Sequence, residues 1–234
     1  MTKPIIFVGY ESKQHVAFEV LEFSLRHHSS TDLDIRPLRL DHLEREIGFD
    51  RPRDPLQSTE FTYSRFLVPY LCNYEGRALF MDCDMLCLAD INEIFSLDLS
   101  SSWVRVVKQS QNVTRSTKMD GQPQMAYPRK NWSSLMLMNC AALTCWSLQA
   151  VKEMSGRWLH RFEPIPDEAI GDIAAEWNVL DRYDEHTRML HYTDGGPWLP
   201  NCSHHPYGDI WFTYLDRCQK ARSGQPIVEA SAHR

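Results

Sequence analysis

The chain has 234 residues, 43% of them hydrophobic, with 25 basic and 31 acidic side chains giving a formal net charge of −6. That length suits one domain with a substantial core. A mildly acidic chain without a dense Lys/Arg stripe argues against nucleic acid as the main partner.

In chain order, Pro4 to Tyr10 reads as a short buried strand, and Ser12 to His28 as a helix with Val16, Val20 and Phe23 at i, i+4 and i+7. Asp34 to Leu40 alternates like a second strand, placed at an edge by Pro37. A polar loop over Phe49 to Ser58 leads to a helix from Glu60 to Leu71, which Pro69 ends or kinks. Gly76 turns into a strand carrying Asp82 and Asp84. A short helix over Asp90 to Phe95 and a strand over Trp103 to Val107 come next. Ser110 to Arg129 is polar and aperiodic, a long loop of the kind that carries function. Ser133 to Cys140 reads as a strand, Leu143 to Met154 as a helix, Trp158 to Pro166 as irregular and Asp167 to Glu176 as a short helix. A strand over Met189 to Tyr192 and a helix over Asp209 to Ala221 close the pattern, with a frayed tail expected over 223–234. Strands alternating with helices predict one α/β domain over 1–222, built on a mostly parallel sheet.

The apolar runs, such as Ile5-Ile6-Phe7-Val8, fall far short of the ~20 residues that cross a bilayer. The start, Met1-Thr-Lys-Pro, lacks the pattern of a signal peptide. Seven cysteines in mostly apolar contexts predict reduced, buried thiols and a cytoplasmic protein. Cys202-Ser-His204-His205 has no paired C-x-x-C, so no zinc site is read there.

The most informative stretch is Arg77-Ala-Leu-Phe-Met-Asp-Cys-Asp-Met-Leu-Cys-Leu88. Two aspartates inside an apolar run are costly unless something neutralises them. On an extended strand, Asp82 and Asp84 would project from one face. A divalent cation answers the cost and points to a phosphate-bearing ligand. The bland alternative makes one aspartate a helix cap and the other the partner of a distant arginine. A second Asp-x-Asp, Asp32-Leu-Asp34, lies in a polar stretch and reads as a solvated turn.

Phe61-Thr-Tyr-Ser-Arg65 precedes Ala78-Leu-Phe-Met-Asp82-Cys-Asp84. Then come Ser133-Ser-Leu-Met-Leu-Met-Asn139, Pro166-Asp-Glu168, Glu176-Trp-Asn178-Val-Leu and Leu190-His191-Tyr-Thr-Asp-Gly195-Gly-Pro197-Trp198. This series resembles glycosyltransferase family 8, the glycogenin and galactosyltransferase-like enzymes, over roughly residues 4 to 215. The resemblance implies a GT-A-type three-layer α/β sandwich with a central, mostly parallel sheet. It implies Mn²⁺ (or Mg²⁺) held by Asp82, Asp84 and His191, a mixed oxygen and nitrogen set that suits Mn²⁺.

Arg65 matches the family's donor-contacting arginine; an ion pair joining its helix to the sheet is the alternative. Gly9 and Tyr10 fall where the family grips the nucleoside, and Gly195 falls in the donor-binding C-terminal motif. A plain strand-to-helix turn is the other reading of Gly9 and Tyr10. Asp167 and Glu168 match an Asp-Gln pair beside the anomeric carbon, or they simply complement a helix dipole. Two departures stand out. Gly196 replaces the family's phosphate-neutralising lysine, in a segment one residue shorter. Trp132 aligns with the family's asparagine, and Ser134 stands where the family has a glycine.

The implied activity is retaining transfer of a hexose from a nucleoside diphosphate-sugar, in the first instance UDP-sugar, to an acceptor hydroxyl. The alternative is a non-catalytic nucleotide-sugar-binding protein that kept the fold.

Overall fold

The computed structural model describes residues 3–55, 57–109 and 129–226. The long polar segment over 110–128 therefore lies outside the described residues, as does the tail from 227. Strand β1 (Ile5–Gly9) is apolar along its length because it runs between two parallel neighbours and is covered on both faces. After a 3₁₀ turn at Ser12–Gln14, helix α1 (His15–His28) buries Ala17, Val20, Leu21, Ser24 and Leu25. Its last turn carries Arg26, His27 and His28, which suit the negative end of the helix.

Strand β2 (Asp34–Leu38) pairs parallel with β1 at the edge of the sheet, where Pro37 is tolerated. A helix absent from the expected elements, α2 (Leu40–Ile47), follows and is stopped by Gly48 at φ 67°. Gly48 N–H donates to Glu44 O and Phe49 N–H to Leu43 O, closing its last turn.

The expected helix over Glu60 to Leu71 is instead turns, a 3₁₀ segment at Ser64–Leu67 and a single α-turn, α3 (Val68–Leu71). Pro69 lies in the first turn of α3, where its missing N–H costs nothing, so it starts that turn and does not end it.

Strand β3 (Arg77–Met81) pairs parallel with β1. It stops one residue before Asp82, and β4 (Met85–Cys87) belongs to a second sheet. Asp82 and Asp84 thus occupy the crossing between two sheets, not one face of a single strand. Past the short helix α4 (Asn92–Phe95) runs β5 (Val104–Val106), and β6 (Leu135–Asn139) returns antiparallel between β3 and β5.

Helices α5 (Leu148–Glu153) and α6 (Gly156–His160) are capped by Ser147 and Ser155, which accept from Ala150 N–H and Trp158 N–H. The second falls partly in the stretch expected to be irregular.

The expected helix over Asp167 to Glu176 is replaced by two 3₁₀ turns flanking β7 (Ile170–Asp172), which pairs parallel with β5. Sheet pairing wins there because Gly171 lets the strands close up. A Cβ at 171 would stand 2.6 Å from Ser102 Oγ and 2.8 Å from Arg105 Cγ.

Strands β8 (Val179–Leu180) and β9 (Met189–His191) complete the second sheet, and α7 (Gly208–Arg222) packs against α1. The main sheet has the order β2-β1-β3-β6-β5-β7, with β6 its one antiparallel strand. Among the described residues, no helix is long and apolar enough to cross a membrane.

Candidate functional site

The parallel strands β1 and β3 end at Gly9 and Met81, and ligands in such sheets sit beyond the carboxyl ends of the strands. Asp82 comes immediately after β3, its N–H donating to Ser134 O on the neighbouring chain. Strand β4 pairs antiparallel with β9 so that Met85 faces His191, and Tyr192 N–H donates to Asp84 O. That register brings the histidine to the aspartates across 107 residues of sequence. One ligand atom each from Asp82, Asp84 and His191 lies within 4.8 Å of the others. His191 Nε2 is 3.1 Å from Asp84 Oδ1 and 4.0 Å from Asp82 Oδ2. Two carboxylates and an imidazole are the donor set that a manganese-type ion accepts.

The orientation of His191 is fixed from behind. Ser134 Oγ–H donates to Asn131 O, so its oxygen must accept from Asn178 Nδ2 at 2.9 Å. Asn178 then presents Oδ1 to His191 Nδ1 at 2.8 Å, and the ring proton sits on Nδ1. When the ring is neutral, the Nε2 lone pair therefore points at the carboxylates, as a metal ligand requires.

Burial, the largest influence, pulls the His191 pKa down. Asp84 and then Asp82 outweigh it and leave the value raised. Cys83, between the aspartates, is fully buried, and both burial and the carboxylates push its thiol up, so it stays protonated. It is no ligand.

Arg65 is also committed. Its guanidinium lies 2.9 Å from Asp82 Oδ1, donates to Ser133 O at 2.9 Å, and sits between the Phe61 and Phe80 rings at 5.2 and 5.1 Å. The ion-pair reading of Arg65 is present here, at the candidate metal cluster itself. All four residues line one pocket of about 520 Å³. Its other walls bring hydroxyls from Ser58, Thr59 and Thr62 and the side chains of Arg157, His160 and Arg161. A wider cleft of about 1080 Å³ opens at the other end of β1 and β3, beside Lys3, Arg36 and Arg77, and holds no such cluster among the described residues.

Residues 13–163 match the sequence model of the family described as Glycosyl transferase family 8. The chain belongs to glycosyl transferase family 8. It is a glycosyltransferase with the GT-A fold. It is 37% identical over 225 residues to Protein CDI of Arabidopsis thaliana, covering 92% of this chain and 87% of that one. Among solved structures it is similar to the galactosyltransferase LgtC, at 12% identity and TM-score 0.59, covering 96% of this chain and 97% of that chain. It is also similar to the bifunctional glycosyltransferase WbbM, at 14% identity and TM-score 0.59, covering 91% of this chain. There it spans 52% of the longer protein. Mouse xyloside xylosyltransferase 1 is a third, at 11% identity and TM-score 0.53, covering 82% of this chain and 98% of that one.

The remaining expected family 8 positions are not among the residues that line the pocket of Asp82, Asp84 and His191. Gly9 does need to be glycine, but the space a Cβ would fill is occupied by Phe61, whose Cδ2 would be 2.4 Å away. The Tyr10 ring has Arg39 over it at 4.9 Å and Phe18 edge-on, and its hydroxyl bonds His15 Nδ1 at 3.0 Å. Gly195 takes φ 118° in the turn after β9, a conformation that favours glycine. Asp167 is exposed and paired with Arg129, and Glu168 is exposed beside it. Asp167 lines a smaller hollow of about 270 Å³ that shares Arg161 with the main pocket.

The missing family lysine has a steric explanation. A Cβ on Gly196 would lie 2.0 Å from Trp198, whose indole N–H donates to Gln14 Oε1 at 2.9 Å. Trp198 packs on Tyr192 and Trp211, so it is held in that place.

The other departure, Ser134, begins the Ser134-Asn178-His191 relay. Sequence reasoning had assigned Asn178 no role. The signal available was an amide in the Glu176-Trp-Asn178 segment, 13 residues before the candidate ligand. In the sequence His160 and Arg161 stand out only as part of the irregular Trp158 to Pro166 stretch.

Proposed function

We propose that this family 8 enzyme transfers a hexosyl group from a nucleoside diphosphate-sugar, in the first instance a UDP-sugar, to an acceptor hydroxyl with retention at the anomeric carbon. The observation that supports this most is the convergence of Asp82, Asp84 and His191 on one pocket wall, with His191 pre-oriented by Asn178. A bound Mn²⁺ or Mg²⁺ supplies positive charge that stabilises the departing diphosphate. In the transfer, the bond from anomeric carbon to diphosphate oxygen breaks and its electron pair stays on the phosphate. The acceptor oxygen bonds that carbon on the same face, and its proton passes to the leaving phosphate.

The chain positions these parts. Arg65 fixes the Asp82 carboxylate, and the Ser58 and Thr59 hydroxyls suit the hydroxyls of a sugar, Thr62 Oγ1 being taken up by Thr59. Gly9, Tyr10 and Gly195 hold the nucleoside end of the donor. Asp167 and Glu168 act as anions facing the reacting carbon across the Arg161 ridge. We assign the catalytic domain to 1–222 and place the protein in the cytoplasm, a location supported by seven cysteines that are all free thiols.

Release of UDP from UDP-glucose or UDP-galactose with Mn²⁺ tests this reading. Turnover should appear in wild type, stop with EDTA, and fall at least about a hundredfold in Asp84→Ala. Metal-independent release, or none from any UDP-sugar, would sink it.

A further inference from the structure

The pocket is lined by carboxylates of Asp82 and Asp84 and by guanidinium groups of Arg65, Arg157 and Arg161. Asp82 and Asp84 are set for an ion and the diphosphate it holds. Arg65 comes next, with its Nη1 turned to Asp82 and Ser133 O. Ser133 Oγ in turn bonds His160 Nδ1 at 2.9 Å, which places α6 beyond Arg65 as seen from the carboxylates. His160 brings no charge there. Burial first, then Arg65, depress its pKa to about 3, so the ring is neutral in the working range.

Its neighbours bring two charges. Arg157 and Arg161 are four residues apart and both line the pocket. Like charges at that spacing repel by a few tenths of a kcal/mol, roughly, on a helical turn. Arg157 meets Glu163 through Nε alone, at 3.1 Å, which leaves its outer nitrogens for another partner. Arg161 is half-buried, and its guanidinium has no acidic partner among the described residues. Asp54, the one other acid among the described lining residues, accepts from Tyr63 O–H at 3.0 Å.

A neutral hexose offers only hydroxyls, for which the Ser58 and Thr59 hydroxyls suffice. Two cations beside them call for an anion on the sugar, and a guanidinium fork matches a carboxylate in a bidentate pair.

We propose that the donor is a hexuronosyl nucleotide whose sugar carboxylate is bound by Arg161 with Arg157, making these arginines the residues that set donor specificity. The proposal rests on the nucleotide-sugar reading above and deepens it. Its rival is that the arginines neutralise the diphosphate in place of the lysine that Gly196 excludes.

Calorimetric titration in the presence of Mn²⁺ separates the two, using UDP, UDP-glucose, UDP-glucuronate and UDP-galacturonate. Wild type should bind one of the uronate donors at least tenfold tighter than UDP-glucose. Arg161→Gln should erase that preference while UDP affinity stays within twofold, and Arg157→Gln should reduce it in part. A thermal melt of each variant confirms that it is folded. Equal wild-type affinity for neutral and uronate donors would overturn the proposal. So would a matching loss of UDP affinity in Arg161→Gln, since the arginines would then serve the diphosphate. Wild type that binds no UDP with Mn²⁺ would instead remove the underlying function, an outcome read from the UDP titration alone.

Discussion

Arg65→Met asks how much of the site's charge balance is built into the metal-free fold. Arg65 and Asp82 have side-chain exposures of 7% and 13%, so their ion pair is screened little by solvent. Removing one partner of a buried pair costs about 3–5 kcal/mol, because the remaining charge is left uncompensated. His191 Nε2 at 4.0 Å supplies part of that compensation, and methionine keeps apolar contact with Phe61 and Phe80, so the lower end, about 3 kcal/mol, applies. For a chain of this size that is a fall in Tm of about 6–12 °C. An ion beside Asp82 restores positive charge, so Mn²⁺ should stabilise the variant more than it stabilises wild type. Thermal melts in EDTA and in excess Mn²⁺ read both effects. A Tm within about 2 °C of wild type in EDTA, or equal Mn²⁺ shifts in the two proteins, would refute the reasoning.

The other expectations concern the histidine and the C-terminal motif. Asn178→Ala removes the acceptor that fixes His191 and should weaken Mn²⁺ binding about 10–100-fold, measured by titration, with little change in the circular dichroism spectrum. The pKa of His191 is raised in the metal-free protein. Its contribution to stability is therefore complete below the unfolded value near 6.5 and is lost as pH rises through the folded value. Metal binding needs the neutral ring, so Mn²⁺ affinity should run the other way, increasing across the same window with uptake of the ion releasing about one proton. Melts and titrations in buffers of different ionisation enthalpy, from pH 6 to 8.5, check both signs. Gly196→Lys restores the family's residue but drives a side chain into Trp198. Strain of about 1–3 kcal/mol should lower Tm and shift tryptophan emission without tightening UDP binding.

Much of the site was legible because its elements announce themselves locally. An acidic pair in an apolar run, an arginine on the preceding segment and a histidine before Gly-Pro-Trp carried the candidate metal cluster and the family. The alternation of strands and helices carried the fold class. What escaped depends on contacts made at long range. The crossing at Asp82 and Asp84 follows from β4 pairing with β9, a register that no local pattern encodes. Residues Ile170 to Asp172 look helical beside their acidic neighbours, yet β5 recruits them as a strand through the space left by Gly171. Arg39 lies over the Tyr10 ring, a contact that no local pattern announces. Ser134 looked like a departure from the family, and only the hydrogen-bond directions reveal that it orients Asn178 and, through it, His191. The helix α2 was a different kind of miss. Leu40, Leu43 and Ile47 followed by Gly48 had spelled it out, and the neighbouring strand pattern obscured it.

The central claim is that Asp82, Asp84 and His191 hold a divalent ion that in turn holds a nucleoside diphosphate. Calorimetric titration of UDP into wild type and Asp84→Ala, each with Mn²⁺ and with EDTA, tests it most directly. The account predicts UDP binding to wild type with Mn²⁺ alone, and its loss in EDTA and in the variant. UDP binding of equal strength in all four titrations, or in none, would contradict it.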